Sequence, residues 1–238
     1  MDATPFDQQT YQVRLEWGVA GLARLAPADV IVVVDVLRFS TRGTDAVAAG
    51  DAFPLDDSSH AVSINGAAVS AAAARTDALV LLGCLRNASS VAAAVLAEQE
   101  RRGDRTSVAI IAAGELTGRD EDASLRFAIE DQLAAGAIIE ALGARGIDHT
   151  SPDAAVACEA FRGLGRAVRH LLTASGSGRE LTATGRADEV AAAAVLDATD
   201  AVPVFVEGAF VAYPAAPDGA AHRTGLSGTA EPPVEVRE

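Results

Sequence analysis

Hydrophobic positions along the chain fall into two periods. Val30-Ile31-Val32-Val33-Val34 is a continuous β-branched run, the pattern of a central parallel strand covered on both faces. Ala78 to Leu82, closed by Gly83, and Val108 to Ile111 repeat that pattern. Tyr11 to Trp17 alternates polar and apolar residues and predicts an edge strand. Between these runs the period lengthens to that of a helix. Helices are predicted over Gly18–Leu25, over Thr41–Ala49 with Gly50 as the stop, from Asn65-Gly66 to about Arg75, and from Asn87 to Arg102. Further helices are predicted over Leu125–Leu142, capped by Ser124, from Ser151 or Asp153 to about Leu172, and over Ala187–Leu196. Phe53 to His60 reads as a polar loop, Val62-Ser63-Ile64 as a short strand, and Ser175-Gly176-Ser177-Gly178 as a turn. Val202 to Phe205 predicts a last strand, with Phe210 to Tyr213 returning as a hairpin after Glu207-Gly208.

Strands that alternate with helices build βαβ units. The predicted class is therefore α/β, a largely parallel sheet with flanking helices, in one domain over 1–213. From Pro214 on, Pro, Gly, Ala and charge alternate without period, and residues 214–238 read as a flexible tail.

Composition narrows the chemistry. All 19 basic residues are Arg. Without Lys there is no Schiff-base amine and no P-loop of the usual kind. The net charge of −14 argues against a nucleic-acid partner, whose affinity comes from neutralising phosphates. No apolar stretch is long enough for a bilayer and Met1 to Thr10 is polar, so no membrane partner and a cytoplasmic location are expected. Cys84 and Cys158 make no disulfide framework or zinc site. The four histidines have no metal-ligand spacing, and no dinucleotide fingerprint follows any strand. A homo-oligomer stays open.

In open parallel sheets, ligands bind beyond the carboxyl ends of the strands. Three strand ends qualify: Asp35 and Arg38, Gly83 to Asn87, and Gly114-Glu115. Asp35 ends an otherwise apolar run, where an unpaired charge is costly. It needs a partner, whether a metal ion, Arg38 or helix N–H groups. Ser40 and Thr41 follow at once, at a helix N-terminus suited to an anion. Asn65 and Gly66 are a second such terminus, and Arg86 stands before Asn87, itself a good N-cap. Glu130 and Asp131 lie on one predicted helix about 100° apart, and adjacent acids of this kind are usually solvated. Glu115 and Asp120-Glu121-Asp122 read as loop acids.

The ordered set of motifs resembles the 2-phosphosulfolactate phosphatase (ComB-like) family. The segments that carry the resemblance run from Val33 to Thr41, from Ser63 to Gly66 and from Gly83 to Ser89. They continue through Ala112-Ala113-Gly114, Ile129 to Ile138, Ala174-Ser175 with Gly178 to Leu181, Leu196-Asp197 and Val202-Pro203. The resemblance implies a Mg²⁺-dependent hydrolase of the phosphate ester of a sulfonated hydroxy acid. Asp35, Glu130 and Asp131 would hold the metal, with Asp35, Arg38 and Glu130 catalytic. Arg38, Ser40, Thr41, Asn65, Gly66, Arg86 and Asn87 would bind a small anionic phosphate ester. Between the counterparts of Pro54 and Asn65 the family carries a longer segment with Gly-Gly-Glu-Arg and Asn-Ser-Pro motifs, so one acid and one Arg have no counterpart here. A second function class follows from that loss: a family member that binds a phosphorylated or sulfonated metabolite, or acts as a scaffold, without turnover.

Overall fold

The computed structural model describes residues 4–118 and 123–214, apart from the side chains at 60–62. The tail expected from Pro214 on and the acids at 120–122 therefore lie, but for Pro214 itself, outside the described residues. In chain order the elements are β1 (Val13–Trp17), α1 (Gly18–Arg24), β2 (Val30–Val34), α2 (Phe39–Ala48), β3 (Phe53–Pro54), α3 (Asp57–Val62) and α4 (Ile64–Ala73). They continue with β4 (Leu79–Gly83), α5 (Ala88–Arg102), β5 (Val108–Ala112), β6 (Glu115–Leu116), β7 (Leu125–Arg126) and α6 (Ile129–Gly143). The last third is α7 (Pro152–Leu164), α8 (Val168–Ala174), α9 (Gly176–Ala183), α10 (Ala187–Ala193), β8 (Pro203–Val206) and β9 (Ala209–Ala212).

The main sheet has the order β1-β5-β2-β4-β8-β9-β3. β1, β5, β2 and β4 are parallel, and β8, β9 and β3 extend the sheet antiparallel. This is the expected α/β class. Alternate residues of β2 serve opposite faces: Val30, Val32 and Val34 join a core with α5, α6 and α7, whereas Ile31 and Val33 join one with Phe39, α4 and Leu25. Each such apolar side chain contributes about 1.5–3 kcal/mol by leaving water, and double coverage explains the unbroken β-branched run. The edge strand β1 is blunted by Gln8, whose amide donates to the Leu15 carbonyl and accepts from the Leu15 N–H. Among the described residues no helix is long and apolar enough to cross a membrane.

Several elements differ from the sequence reading. The Phe53–His60 loop contains β3 and the start of α3, because Asp56 and Ser59 form a reciprocal capping box. Val62-Ser63-Ile64 is no strand: Ser63 alone is extended, between α3 and α4, and its hydroxyl accepts from the N–H groups of Asn65 and Gly66. Asn65 and Gly66 thus lie inside the first turn of α4. The long helix begins at Ile129 rather than Leu125, since Leu125-Arg126 pairs with Glu115-Leu116 as a two-stranded ribbon. That ribbon also makes Glu115 a strand residue rather than a loop acid. The helix from Ser151 breaks at a 3₁₀ turn over Gly165–Ala167 into α7 and α8. Ser175-Gly176-Ser177-Gly178 is the capped start of α9, with the Gly178 N–H donating to Ser175 Oγ. The helix after β2 starts two residues earlier than expected, at Phe39.

Candidate functional site

β5, β2 and β4 are neighbours, so their carboxyl ends form one rim. Asp35 leaves β2 on that rim, and Asp131 reaches it from the first turn of α6. Asp131 Oδ1 accepts from the Val36 N–H at 2.8 Å and its Oδ2 from the Gly114 N–H at 2.9 Å. One carboxylate therefore ties the end of β2 to the end of β5. Asp35 Oδ1 accepts from the Phe39 N–H at 3.2 Å; its Oδ2 accepts from the Gly66 N–H at 2.9 Å and from Ser63 Oγ at 2.5 Å. Asp35 thus joins the N-termini of α2 and α4, occupying N–H donors that the sequence offered to a ligand.

Gly66 is where this closure demands the smallest residue. A Cβ there would stand 2.5 Å from both Asp35 Oδ2 and Phe39 Cβ. Helix propensity alone makes Gly66→Ala a gain of nearly 1 kcal/mol. Overpacking against buried backbone-fixed groups reverses the sign, and a loss of roughly 1–3 kcal/mol is expected in urea unfolding. A stabilised variant would disprove the close approach.

Glu130 and Asp131 are not solvated surface acids. Asp35, Glu130 and Asp131 are 4%, 3% and 2% exposed. Glu130 Oε2 is buried and has no hydrogen-bond partner. Burial raises the Asp35 carboxyl to about 6, with Glu115 adding repulsion against the N–H and hydroxyl donors that pull it down. Burial, then the charges of Asp35 and Glu130, hold Asp131 well above the ordinary aspartate value. Sequence pattern places Glu115 at a qualifying strand end but reads it as a loop acid, and it does not single out Ser63 or Glu189. Ser63 was legible as a cap before an Ala-rich run. Glu115 is held by Ser177 Oγ, which donates to its Oε2 at 2.7 Å, a contact across 62 residues that no local pattern announces. Asn65 Oδ1 accepts from the Leu116 N–H at 3.3 Å, tying α4 to the same ribbon.

The remaining sequence candidates divide. Arg38 faces a cleft of about 590 Å³ beyond the β2 end, lined also by Val36, Leu37, Thr41, Arg42 and Glu189. Ser40 and Thr41 are buried inside the turn: Ser40 Oγ accepts from the Asp35 N–H and donates to the Val33 carbonyl, and Thr41 Oγ1 donates to the Val36 carbonyl. Arg86 donates to Asp45 at 2.9 Å and to the Ala192 carbonyl at 3.0 Å, fastening α10 to α2. Asn87 is fully buried; its Oδ1 accepts from the Cys84 N–H, and its amide donates to Thr44 Oγ1 and to the Leu82 and Ala201 carbonyls. The structure thus brings Asp35, Asn65, Gly66, Glu130 and Asp131 to one rim, with Arg38 on its cleft side. It holds Ser40, Thr41, Arg86 and Asn87 in internal hydrogen bonds.

The family model for 2-phosphosulpholactate phosphatase matches residues 56–208. The chain belongs to the 2-phosphosulpholactate phosphatase family. That family implies a phosphoric monoester hydrolase. The matched span includes α4, the β4 and β5 ends, and all of α6 with Glu130 and Asp131; β2 with Asp35 precedes it. Among curated proteins no match is found.

Proposed function

We propose that this chain is a cytoplasmic Mg²⁺-dependent phosphatase that hydrolyses 2-phosphosulfolactate, or a close relative, to the hydroxy acid and phosphate. The observation that carries the reading is the buried carboxylate group at the strand ends, with Glu130 Oε2 left without a partner. Buried acids this close together ask for a cation. Among the described residues no group of three or more acidic, His or Cys side chains is placed to hold a metal ion. Magnesium does not need one: it is held by one or two carboxylates together with water and substrate oxygens. The donor set fits. Glu130 Oε2, Asp35 Oδ1 and the Asp131 oxygens are hard oxygen donors with lone pairs remaining, and one or two of these carboxylates, with water and substrate oxygens, would hold the ion.

When bound, the ion supplies charge neutralisation on the phosphoryl oxygens. The chain's own residues do the rest. The hydrogen bonds to Phe39, Gly66 and Ser63 fix the Asp35 carboxylate, and those to Val36 and Gly114 fix Asp131, so neither reorganises when an ester arrives. Arg38 offers a planar pair of donors to anionic oxygens from the cleft side. α8, α9 and α10 pack on one another, and α8 on α6; from this layer Ser177 holds Glu115 and Glu189 faces Arg38 and Arg42 across the cleft. The two buried thiols, Cys84 and Cys158, suit a reducing compartment.

The test is phosphate release from 2-phosphosulfolactate and a panel of small phosphate monoesters with Mg²⁺. Turnover well above that of Asp35→Asn supports the reading. Release no greater than that of the variant overturns it, and calorimetric binding without release would assign the chain to the binding class instead.

A further inference from the structure

Glu115 stands beside the acidic rim, and the fold alone does not account for its charge. Backbone pairing fixes its place. Ala112 is in register with Val34 in the parallel β2–β5 pair, and the Ala113 N–H donates to the Val34 carbonyl at 2.8 Å. The chain therefore runs on past the end of β5 alongside Asp35. The residues on either side of Glu115 are both tied to the rim. The Gly114 N–H donates to Asp131, and the Leu116 N–H donates to Asn65, whose neighbour Gly66 donates to Asp35. The charge of Glu115 is felt at Asp35, where it opposes ionisation. Glu115 Oε2 accepts from Ser177 Oγ, a buried hydroxyl in the first turn of α9. Among the described residues its Oε1 accepts no hydrogen bond, and no cation stands within ion-pair distance of the carboxylate. Arg126, directly opposite across the β6–β7 ribbon, lies against Gly176 instead. A tether between the ribbon and α9 needs only a neutral acceptor; a half-buried carboxylate without a counter-charge is costly unless its spare oxygen has a use.

The other rim acids are committed. Asp35 and Asp131 each accept from fixed donors on both oxygens, and Glu130 Oε2 is enclosed. Glu115 combines nearness to them, access to water and an unspent oxygen. We infer that Glu115 is the general base of the hydrolysis, its Oε1 accepting a proton from the attacking water, and that Ser177 is the positioning residue that orients its carboxylate. The inference rests on the phosphatase reading and names the residue that activates the nucleophile at that same site. In the step, the water oxygen forms the new bond to phosphorus while one of its protons passes to Glu115 Oε1. The bond between phosphorus and the ester oxygen breaks; that oxygen leaves with the electron pair and takes a proton from solvent. Glu115 returns its own proton to solvent as phosphate departs. A base must come within hydrogen-bond reach of the proton it takes, and the hydroxyl of Ser177 holds one end of this carboxylate while leaving the other to water.

The experiment measures phosphate release from 2-phosphosulfolactate with Mg²⁺ by the full-length protein and three variants, each checked by urea unfolding. Glu115→Gln keeps an oxygen that can accept from Ser177, so the tether survives while the proton acceptor is lost. Its kcat should fall about 100-fold, the scale of general-base catalysis. Its KM should stay within about threefold of the parent, because the lost interaction is made only in the transition state. Ser177→Ala leaves the base but frees it to turn, and about a tenfold loss of kcat is expected, one hydrogen bond's worth. Glu115→Ala should be as slow as Glu115→Gln, and added formate should restore part of its turnover, since a small carboxylate can take the place of the missing one. A tether alone predicts no rescue by formate and near-parental activity in Glu115→Gln. Either result overturns the assignment, as does a loss in Glu115→Gln matched by a lowered urea midpoint. The failures are distinguishable. A parent protein that releases no phosphate sinks the phosphatase reading and this role with it. Turnover by the parent that Glu115→Gln leaves intact sinks the role of Glu115 alone.

Discussion

Glu130→Gln is expected to lower Mg²⁺-dependent phosphate release by at least about 100-fold, on the scale of several kcal/mol that a metal contact supplies to charge stabilisation, without lowering stability. Both halves follow from one observation. The Glu130 carboxylate is almost wholly buried and its Oε2 accepts no hydrogen bond. Removing its charge breaks no hydrogen bond at Oε2 and relieves the cost of an unpaired buried ion. The urea midpoint should therefore hold or rise. Asp35→Asn behaves differently. Asp35 receives the Phe39 N–H, the Gly66 N–H and the Ser63 hydroxyl. An amide NH₂ in that position would set a donor against donors, and an unsatisfied buried group costs about 1–3 kcal/mol. Asp35→Asn should lose activity and stability together. Paired measurements of phosphate release and urea unfolding distinguish a group that acts on the substrate side from one that also builds the turn. Activity in Glu130→Gln within threefold of the parent would remove Glu130 from the site.

The parts of this site that sequence pattern revealed are those set by neighbours in the chain. An aspartate ending an all-apolar strand, just before a helix, can do little besides cap, pair or bind, and Asp35 does at least the first. The β2, β4 and β5 runs declared their double burial because nothing polar interrupts them. What stayed hidden depends on contacts across the fold. Leu125, Ile129 and Leu133 share a helical spacing, which predicts a helix from Leu125. That leucine instead covers the backbone of Gly18 and Gly114 from a β-ribbon. Arg86 looked like a phosphate ligand because Asn87 follows it at a helix start. Its partners, Asp45 and Ala192, are 41 and 106 residues away, and no local period encodes them. The alternation at Val62-Ser63-Ile64 imitated a strand because a single extended capping residue between two helices gives the same three-letter pattern. Glu130 and Asp131 were legible as a pair and not as buried groups, since burial at the start of α6 is imposed by the ends of β2 and β5.

Without metal, the protein is expected to lose stability as pH rises from about 4 through 6, and Mg²⁺ should restore more stability at pH 7.5 than at pH 5. The sign follows from the direction of the shifts. Asp35 is raised to about 6 in the folded chain, whereas an unfolded aspartate titrates near 3.9. Between those values the folded protein holds a proton that the unfolded chain has released, so stability falls with increasing pH. For a displacement of about two units the loss is roughly 3 kcal/mol at about 1.4 kcal/mol per unit. Asp131 is raised by burial and by the charges of Asp35 and Glu130, and adds in the same direction. Asp29 and Glu98 are lowered, Asp29 by hydrogen bonds from Ser107 that outweigh its burial and Glu98 chiefly by Arg101. Their contribution is present above the ordinary carboxylate range and is lost as pH falls below it, which leaves the window between 4 and 6 to the rim acids. A divalent cation binds the ionised rim and competes with its protons. At pH 7.5 and about 100 times its dissociation constant, it should raise stability by about 2.7 kcal/mol, read as a higher melting temperature at matched ionic strength. At pH 5, protonated rim carboxyls should reduce that gain to a small fraction. An equal Mg²⁺ effect at both pH values, or none at either, would mean that Asp35, Glu130 and Asp131 do not hold the ion, and that the repulsion among them is relieved by retained protons alone.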